Sequence, residues 1–244
     1  MYPTIGLRNR NRTEGTAGTQ KMRSWIVIPA YNEAARLTHV LRGLRDKPFQ
    51  IVVIDDGSGD KTAAVATAAG VFVLRHLINR GQGAALRTGI QFALDHGAEE
   101  VITFDADGQH QPEDLSSLVK VLRTTQADLV VGSRFLGSAP GIPLHRWCLL
   151  KMAVVFTRFT TGLNLTDVHN GLRAMTAEAA GKLSFTEDGM AHASQILSMA
   201  ARLKLRVHEV PCSIVYSEQS LAKGQRSSAA FRILGRLAIS RLLR

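Results

Sequence analysis

The sequence lacks most of the features that would place it in several common classes. It has only two cysteines in 244 residues, Cys148 and Cys212, far apart and in apolar surroundings. That excludes a disulfide-stapled scaffold and a cysteine metal site, and predicts two buried thiols in a reducing compartment. No uncharged apolar stretch reaches the ~18 residues that span a bilayer. The first 24 residues have no apolar core of the kind a secretory signal needs, so no signal peptide is expected. There is no internal repeat. Excess charge is also missing from most of the chain, although the net charge is +10. Residues 1–24 carry five cations and one anion, and residues 216–244 carry six cations and one anion. The stretch between them is nearly neutral, which argues against a nucleic-acid-binding body. Basic ends on a neutral body suit contact with an anionic surface, or simple solvation of the N-terminal arm.

What is present is a regular alternation. Residues 1–23, rich in Gly, Thr, Asn and Arg, read as a disordered basic tail. Residues 24–215 read as one folded domain, and 216–244 as a basic segment ending in an amphipathic helix. Trp25–Ile28, Gln50–Ile54, Val71–Leu74, Val101–Phe104 and Asp128–Val131 are short apolar runs typical of buried strands. Between them lie helical patterns over about 33–45, 61–69, 83–96 and 112–123, with Pro112 suited to the first helical position. The expectation is an α/β fold with a mostly parallel sheet covered on both faces.

In such sheets ligands bind beyond the carboxyl ends of the strands. The first strand is followed by Pro29-Ala30-Tyr31-Asn32-Glu33, and the second by Asp55-Asp56-Gly57-Ser58-Gly59-Asp60. The fourth is followed by Asp105-Ala106-Asp107-Gly108-Gln109, and the fifth by Gly132-Ser133-Arg134. Three ends carry acid and one carries arginine, which would repel unless a cation and a polyphosphate resolved it. Asp105 and Asp107 are two apart, so in extended chain both carboxylates face one way and make an oxygen-rich cradle for Mg²⁺ or Mn²⁺. Gln109 adds an amide oxygen. Asp55 and Asp56 can accept from a base N–H or ribose hydroxyls. Asp60 before Thr62 reads as a helix cap. The amides of Asn79-Arg80-Gly81-Gln82-Gly83, ahead of a helix, can face an anion or only make a turn. Arg134 can fork onto a phosphate or pair with a rim carboxylate.

Four of these segments, Ile28–Glu33, Val53–Ser58, Asn79–Gly83 and Phe104–His110, stand in the order of family 2 glycosyltransferases, which the chain resembles over about residues 24–225. Within that family it looks most like the dolichyl-phosphate mannose or polyprenyl-phosphate sugar synthases. The resemblance implies a GT-A fold, a UDP- or GDP-sugar donor, and Mg²⁺ or Mn²⁺ held by Asp105, Asp107 and Gln109. It implies that Pro29, Tyr31 and Glu33 line the nucleotide, with Asp55, Asp56 and Gly57 at its base and ribose. Arg134 matches a phosphate-binding arginine, Asp167–Arg173 an acceptor-side segment, and Ser220–Gln225 a segment whose Lys223 can reach the site. Asp107, Arg134 and Asp167 are the implied catalytic set. Gln195 stands where the subgroup usually has an acid. His192 reads as a helix-packing histidine.

Such enzymes invert at the anomeric carbon, and the acceptor decides what chemistry the protein must supply. A lipid phosphate already carries a nucleophilic oxyanion near neutral pH. A saccharide hydroxyl needs a base, for which Asp167 and Asp188 are candidates. The phosphate acceptor is therefore the leading expectation. A hydroxyl acceptor, or a sugar-nucleotide-binding module without turnover, is the alternative. A nucleotidyltransferase is disfavoured, because no Gly-rich entry follows the first strand. Leu144–Thr161 and Phe231–Arg244 combine apolar residues with cations, as interfacial helices do. They imply peripheral attachment to an anionic membrane surface on the cytoplasmic side, with a membrane protein partner if a second anchor is needed.

Overall fold

The computed structural model describes residues 24–216. The basic N-terminal tail, Lys223 with its Ser220–Gln225 segment, and the helix expected over Phe231–Arg244 lie outside the described residues.

The described chain begins with β1 (Ser24–Ala30), α1 (Ala34–Leu44), β2 (Gln50–Asp55), α2 (Thr62–Ala68) and β3 (Phe72–Arg75). It continues through α3 (Gln82–Asp95), β4 (Glu100–Thr103), α4 (Asp114–Thr124), β5 (Leu129–Ser138) and α5 (Leu144–Thr161). It ends with β6 (Arg173–Thr176), α6 (Ala177–Lys182), α7 (His192–Arg202) and β7 (Val207–Ser213). The strands form one sheet in the order β3-β2-β1-β4-β6-β5-β7. All neighbours are parallel except β6, which runs antiparallel to both β4 and β5.

The central strand β1 is buried along its whole length, as a strand covered on both faces must be. Its alternation divides the core in two. Trp25 and Val27 join Val52, Ile54 and Val101 on one face, and Ile26 and Ile28 join Val53 and Ile102 on the other. Helices cover each face with one apolar stripe. On the Ile26 face the covering residues are Leu37, Val40, Leu41 and Leu44 of α1 and Leu115, Leu118, Val119 and Leu122 of α4, and on the Trp25 face they include Leu86, Ile90 and Ala93 of α3. Each such buried side chain contributes roughly 2 kcal/mol.

Two expectations are corrected here. Helix α4 begins at Asp114, so Pro112 precedes it by two residues and caps no first turn. Cys212 is buried, but Cys148 is exposed, because it lies on the outward face of α5. The apolar neighbours that suggested burial for Cys148 are themselves largely outward: Leu144, Met152, Val155 and Phe159 are exposed.

The topology places the site. Strands β1, β2, β4 and β5 deliver their carboxyl ends to one rim. Because β6 is reversed, its leading segment, residues 167–172, arrives at that rim as well, between β4 and β5.

Candidate active site

A cavity of about 470 Å³ opens at this rim. Pro29, Tyr31, Glu33, Asp56, Asp105, Asp107, Gln109 and Arg134 all line it, so the structure brings most of the sequence-predicted residues to one place. Arg146, His169 and Met190 line it too.

Asp105 and Asp107 meet there by a different route from the one the period-two pattern predicts. Strand β4 stops at Thr103, and the chain turns through Ala106-Asp107-Gly108, with Gly108 at φ +74. Asp105 Oδ1 accepts from Gln82 Nε2 at 2.9 Å, and Oδ2 lies 3.1 Å from His110 Nε2. Burial works to raise the Asp105 carboxyl, but the His110 contact and the charges of His110, Arg173 and His192 outweigh it and hold it below the usual range. Asp107 moves the other way: burial first and the neighbouring Asp105 charge second push its carboxyl up. Gln109 clamps Asp107, donating from its backbone N at 3.0 Å and from Nε2 at 2.6 Å. Gln109 thus touches Asp107 with its amide nitrogen, where the sequence suggested a ligand carbonyl.

Among the described residues no three His, Cys, Asp or Glu side chains gather to hold an ion unaided. Two carboxylates under mutual repulsion nonetheless fit a hard cation that keeps open positions for phosphate oxygens, as Mg²⁺ sites commonly do. The donor set suits Mg²⁺ or Mn²⁺ and offers nothing to a soft metal.

The second strand's acids stand deeper. Asp55 is fully buried behind the cavity wall. Its Oδ1 accepts from Ser58 N at 2.9 Å, while Oδ2 faces Arg75 Nε at 3.2 Å in a misaligned ion pair and accepts no hydrogen bond. Asp56 fastens the 76–81 loop: its carboxylate lies 2.7 Å from His76 Nδ1 and accepts from Arg80 N at 3.0 Å and Gly81 N at 2.7 Å. Gly57 sits at φ +75 with the Ile78 backbone 2.5 Å from where a Cβ would be, so only glycine fits. Asp60 stands one residue before Lys61, the N-cap of α2, and accepts from Thr62 N at 2.9 Å and from Ala34 N of α1 at 3.1 Å.

Arg134 forms the opposite wall. Its Nε donates to Asp167 Oδ2 at 2.6 Å, Nη1 to the Tyr216 hydroxyl at 2.7 Å, and Nη2 to the His169 carbonyl at 2.9 Å. Burial works against the guanidinium charge, but Asp167 and Tyr216 outweigh it. Arg134 therefore pairs with a carboxylate, the second of its two readings, and also lines the cavity. Asp167 is fully enclosed behind it and does not line the cavity. Sequence reasoning missed Arg146, which stands at the head of α5 with its guanidinium 4.9 Å from the centre of the Tyr216 ring. Its signal was a cation twelve residues after Arg134 at a helix start. His169 was also missed. Burial, Arg173 and Arg134 depress it to about 4 against the pull of Asp167, so its imidazole is neutral at physiological pH.

Three of the loop amides at the start of α3 are bonded within the protein. Arg80 N and Gly81 N are spent on Asp56, and Gly83 N donates to the Asp188 carbonyl at 2.7 Å. Asp188 is ion-paired with Arg87 and does not line the cavity. Gln195 anchors the residues just before Asp188: its Oε1 accepts from Thr186 N and Glu187 N, both at 2.9 Å. A carboxylate oxygen would accept the same two bonds, so this position has a structural task that glutamine meets. His192 is buried at the head of α7 with Nδ1 2.8 Å from the Gly189 carbonyl, a packing histidine as expected.

Comparison with known proteins agrees with this geometry. The chain is 30% identical to a UDP-N-acetylglucosamine–dolichyl-phosphate N-acetylglucosaminyltransferase of Methanococcus voltae, over 89% of this chain and 96% of that protein. It is 34% identical to an undecaprenyl-phosphate mannosyltransferase of Micrococcus luteus, over 83% of this chain and 87% of that one. Among solved structures, glucosyl-3-phosphoglycerate synthase from Mycobacterium tuberculosis, in complex with Mn²⁺, UDP and glucosyl-3-phosphoglycerate, superposes with a TM-score of 0.66 at 18% identity. That match covers 93% of this chain and 85% of the other and supports the GT-A-like architecture. The pattern of glycosyl transferase family 2 matches residues 25–183, and the chain belongs to that family of glycosyltransferases.

Proposed function

We propose that this enzyme moves a sugar from a nucleoside-diphosphate sugar to a polyprenyl-type lipid phosphate, with inversion and with Mg²⁺ or Mn²⁺ bound at Asp105 and Asp107. The observation that carries the reading is the division of charge in the cavity. Carboxylates stand just beyond or at the ends of β1, β2 and β4, and arginines stand midway along β5 and at the head of α5. The named activities of the Methanococcus and Micrococcus relatives support the lipid phosphate.

In this reading Pro29, Tyr31 and Glu33 flank the nucleotide, and Asp55 and Asp56 stand on its base and ribose side. Asp105 and Asp107, steadied by Gln82, His110 and Gln109, hold the cation, which when bound offsets charge on the leaving diphosphate. Arg134 and Arg146 hold the acceptor phosphate and orient its oxyanion at the anomeric carbon. A hydroxyl acceptor would need a base on that side. Asp167 is enclosed and committed to Arg134, and Asp188 is committed to Arg87 outside the cavity. An acceptor that brings its own negative charge fits this wall better.

The same helix that carries Arg146 offers a seat for the acceptor's membrane. Leu144, Cys148, Met152, Val155 and Phe159 recur along one exposed stripe of α5, flanked by Trp147, Lys151 and Arg158. Such a stripe suits the headgroup boundary of an anionic bilayer on the cytoplasmic side. No helix among the described residues is long and apolar enough to cross a membrane.

The test is transfer from a panel of labelled UDP- and GDP-sugars to polyprenyl phosphate in vesicles, with Mg²⁺ or Mn²⁺ and with chelator. One donor should give chloroform-soluble product, lost in chelator and in Asp107→Asn. Product only with a saccharide acceptor would refute the phosphate reading, and sugar-nucleotide binding without any product would favour a module without turnover.

A further inference from the structure

We propose that Arg173 is a positioning residue for the cation end of this site, its buried guanidinium acting with Gly171 as the seat that fixes the Asp105 carboxylate toward the donor diphosphate. The inference rests on the cation-and-diphosphate reading above and assigns a role that the sequence placed elsewhere, on the acceptor side.

Arg173 opens β6 and is 1% exposed. In the sheet it stands opposite Thr103 of β4 and Val131 of β5, so its side chain starts between the strand that leads to Asp105 and the strand that leads to Arg134. Its Nε and Nη2 are enclosed and donate to nothing among the described residues. An enclosed guanidinium with two nitrogens unbonded is costly. Its retention calls for an anion to act on. Two carboxylates feel its charge, Asp105 and Asp167. Asp167 is already bonded to Arg134. Asp105 has around it His110, His192 and Arg173, and of these only the arginine is a permanent cation.

Gly171 supplies the second, independent sign. A Cβ there would lie 2.0 Å from Asp105 Oδ2 and 2.5 Å from its Cγ, so the carboxylate rests directly on the glycine. The Gly171 carbonyl in turn accepts from Thr103 Oγ1 at 2.6 Å, which ties the segment to the end of β4 two residues before Asp105. Gly171 has no positive φ, so alanine is tolerated by the backbone and would disturb only what rests on it. The segment 167–173 therefore divides. Asp167 and His169 brace Arg134, while Gly171 and Arg173 brace Asp105. Groups that orient a ligating carboxylate typically matter to metal binding by about ten- to a hundred-fold.

The experiment measures UDP and GDP binding by calorimetry, with Mn²⁺ and with EDTA, on the full chain. Wild type, Asp107→Asn, Arg173→Met and Gly171→Ala are compared, and thermal unfolding checks the fold of each. The expected result is that Arg173→Met and Gly171→Ala weaken the Mn²⁺-dependent binding about ten-fold or more and leave the EDTA value unchanged. A residue that only fills the core would shift both values or neither. Should Arg173→Met fail to fold, Gly171→Ala decides the matter alone. Mn²⁺-dependent binding that is lost in Asp107→Asn but kept within about two-fold in the folded Arg173 and Gly171 variants would overturn this inference and leave the cation reading standing. Wild-type binding that does not respond to Mn²⁺ would overturn both.

Discussion

Replacing Asp167 by asparagine separates the two acceptor chemistries, because the carboxylate has a different task in each. If it were a base for a hydroxyl, its loss would remove a proton acceptor and spare the fold. In the structure it accepts from Arg134 Nε at 2.6 Å, Arg134 N at 3.2 Å, His169 N at 3.3 Å and Asn170 Nδ2 at 3.4 Å. The paired side chains are 5% and 1% exposed. Removing one partner of a buried ion pair costs about 3–5 kcal/mol, since the other charge stays behind. Asparagine keeps one acceptor oxygen, and Arg134 keeps Tyr216 and the His169 carbonyl, so the lower end, about 3 kcal/mol, applies. In a domain of this size that lowers the midpoint of thermal unfolding by about 6–12 °C.

Urea unfolding followed by circular dichroism reads this directly. The double variant Arg134→Met/Asp167→Asn should lose less than the two single losses combined, by about 1 kcal/mol or more, because the stranded charge is gone. At a temperature where Asp167→Asn remains folded, lipid-phosphate transfer should keep its dependence on pH. An unchanged stability, strictly additive single losses, or a transfer rate whose rise from acid pH disappears in Asp167→Asn would refute the argument and restore Asp167 as a base.

Three further outcomes follow from other contacts. Burial and Arg173 depress His192 to about 4, against an unfolded value near 6.5. The unfolded chain therefore takes up the proton first as pH falls, and stability is lost between about 6.5 and 4, by about 2 kcal/mol from pH 7 to pH 5 for this group. His192→Gln should flatten that part of the urea-midpoint profile, and an unchanged slope would show that His192 is not the group responsible. Burial pushes the Cys212 thiol up to about 12, whereas Cys148 is exposed on α5. Iodoacetamide at pH 8 should label one thiol per native chain, at Cys148 by peptide mapping, and two only after denaturation; native labelling of Cys212 would contradict its burial. Finally, Gln195→Glu should keep transfer within about three-fold of wild type, and Gln195→Leu should lose about 1 kcal/mol of stability, as the exposed Thr186 and Glu187 amides exchange their side-chain acceptor for water. A Glu variant gaining a hundred-fold in rate would mean that the position serves the chemistry.

How much of this was legible in the sequence depended on which physical signal each element carried. Strands β1 to β4 and the first part of β5 announced themselves as unbroken apolar runs because both faces of the sheet are covered, whereas β5 runs on to Ser138 through Gly132-Ser133-Arg134, which read as the loop after it. Strand β6 begins on Arg173 and has four residues, and charge at a strand start reads as loop. Strand β7, Val-His-Glu-Val-Pro-Cys-Ser, alternates with polar residues and contains a proline, which suits the sheet edge it occupies and hides it from a search for apolar runs. Missing β6 had a functional cost. Without its reversal nothing in the sequence brings residues 167–171 between β4 and β5, so the enclosure of Asp167 and the contact of Gly171 with Asp105 could not be foreseen. The face of α5 was equally hidden, since a helix with apolar residues all round does not say which side is covered, and Cys148 was misplaced for that reason.

The reversed strand also explains how acid and arginine coexist at one rim. Parallel strands alone would set Asp105 and Arg134 on separate strand ends with nothing between. The reversed β6 enters from the rim, and its leading segment lies against both. Side chains two residues apart along that segment divide the work. Asp167 takes the charge of Arg134, and the Thr166 and Asp167 amides are held in turn by Glu209 of β7 at 2.8 and 2.9 Å. The Asp105 carboxylate rests on Gly171, with the charge of Arg173 buried behind it. Each wall of the cavity is thus compensated from behind, by buried groups fixed in the sheet, and its forward side is left to whatever enters the cavity. A site compensated only from the front would have to reorganise each time a diphosphate arrived or left. One braced through the sheet keeps its donors and acceptors in place across the cycle, which is the condition under which electrostatic stabilisation of a leaving diphosphate is most effective.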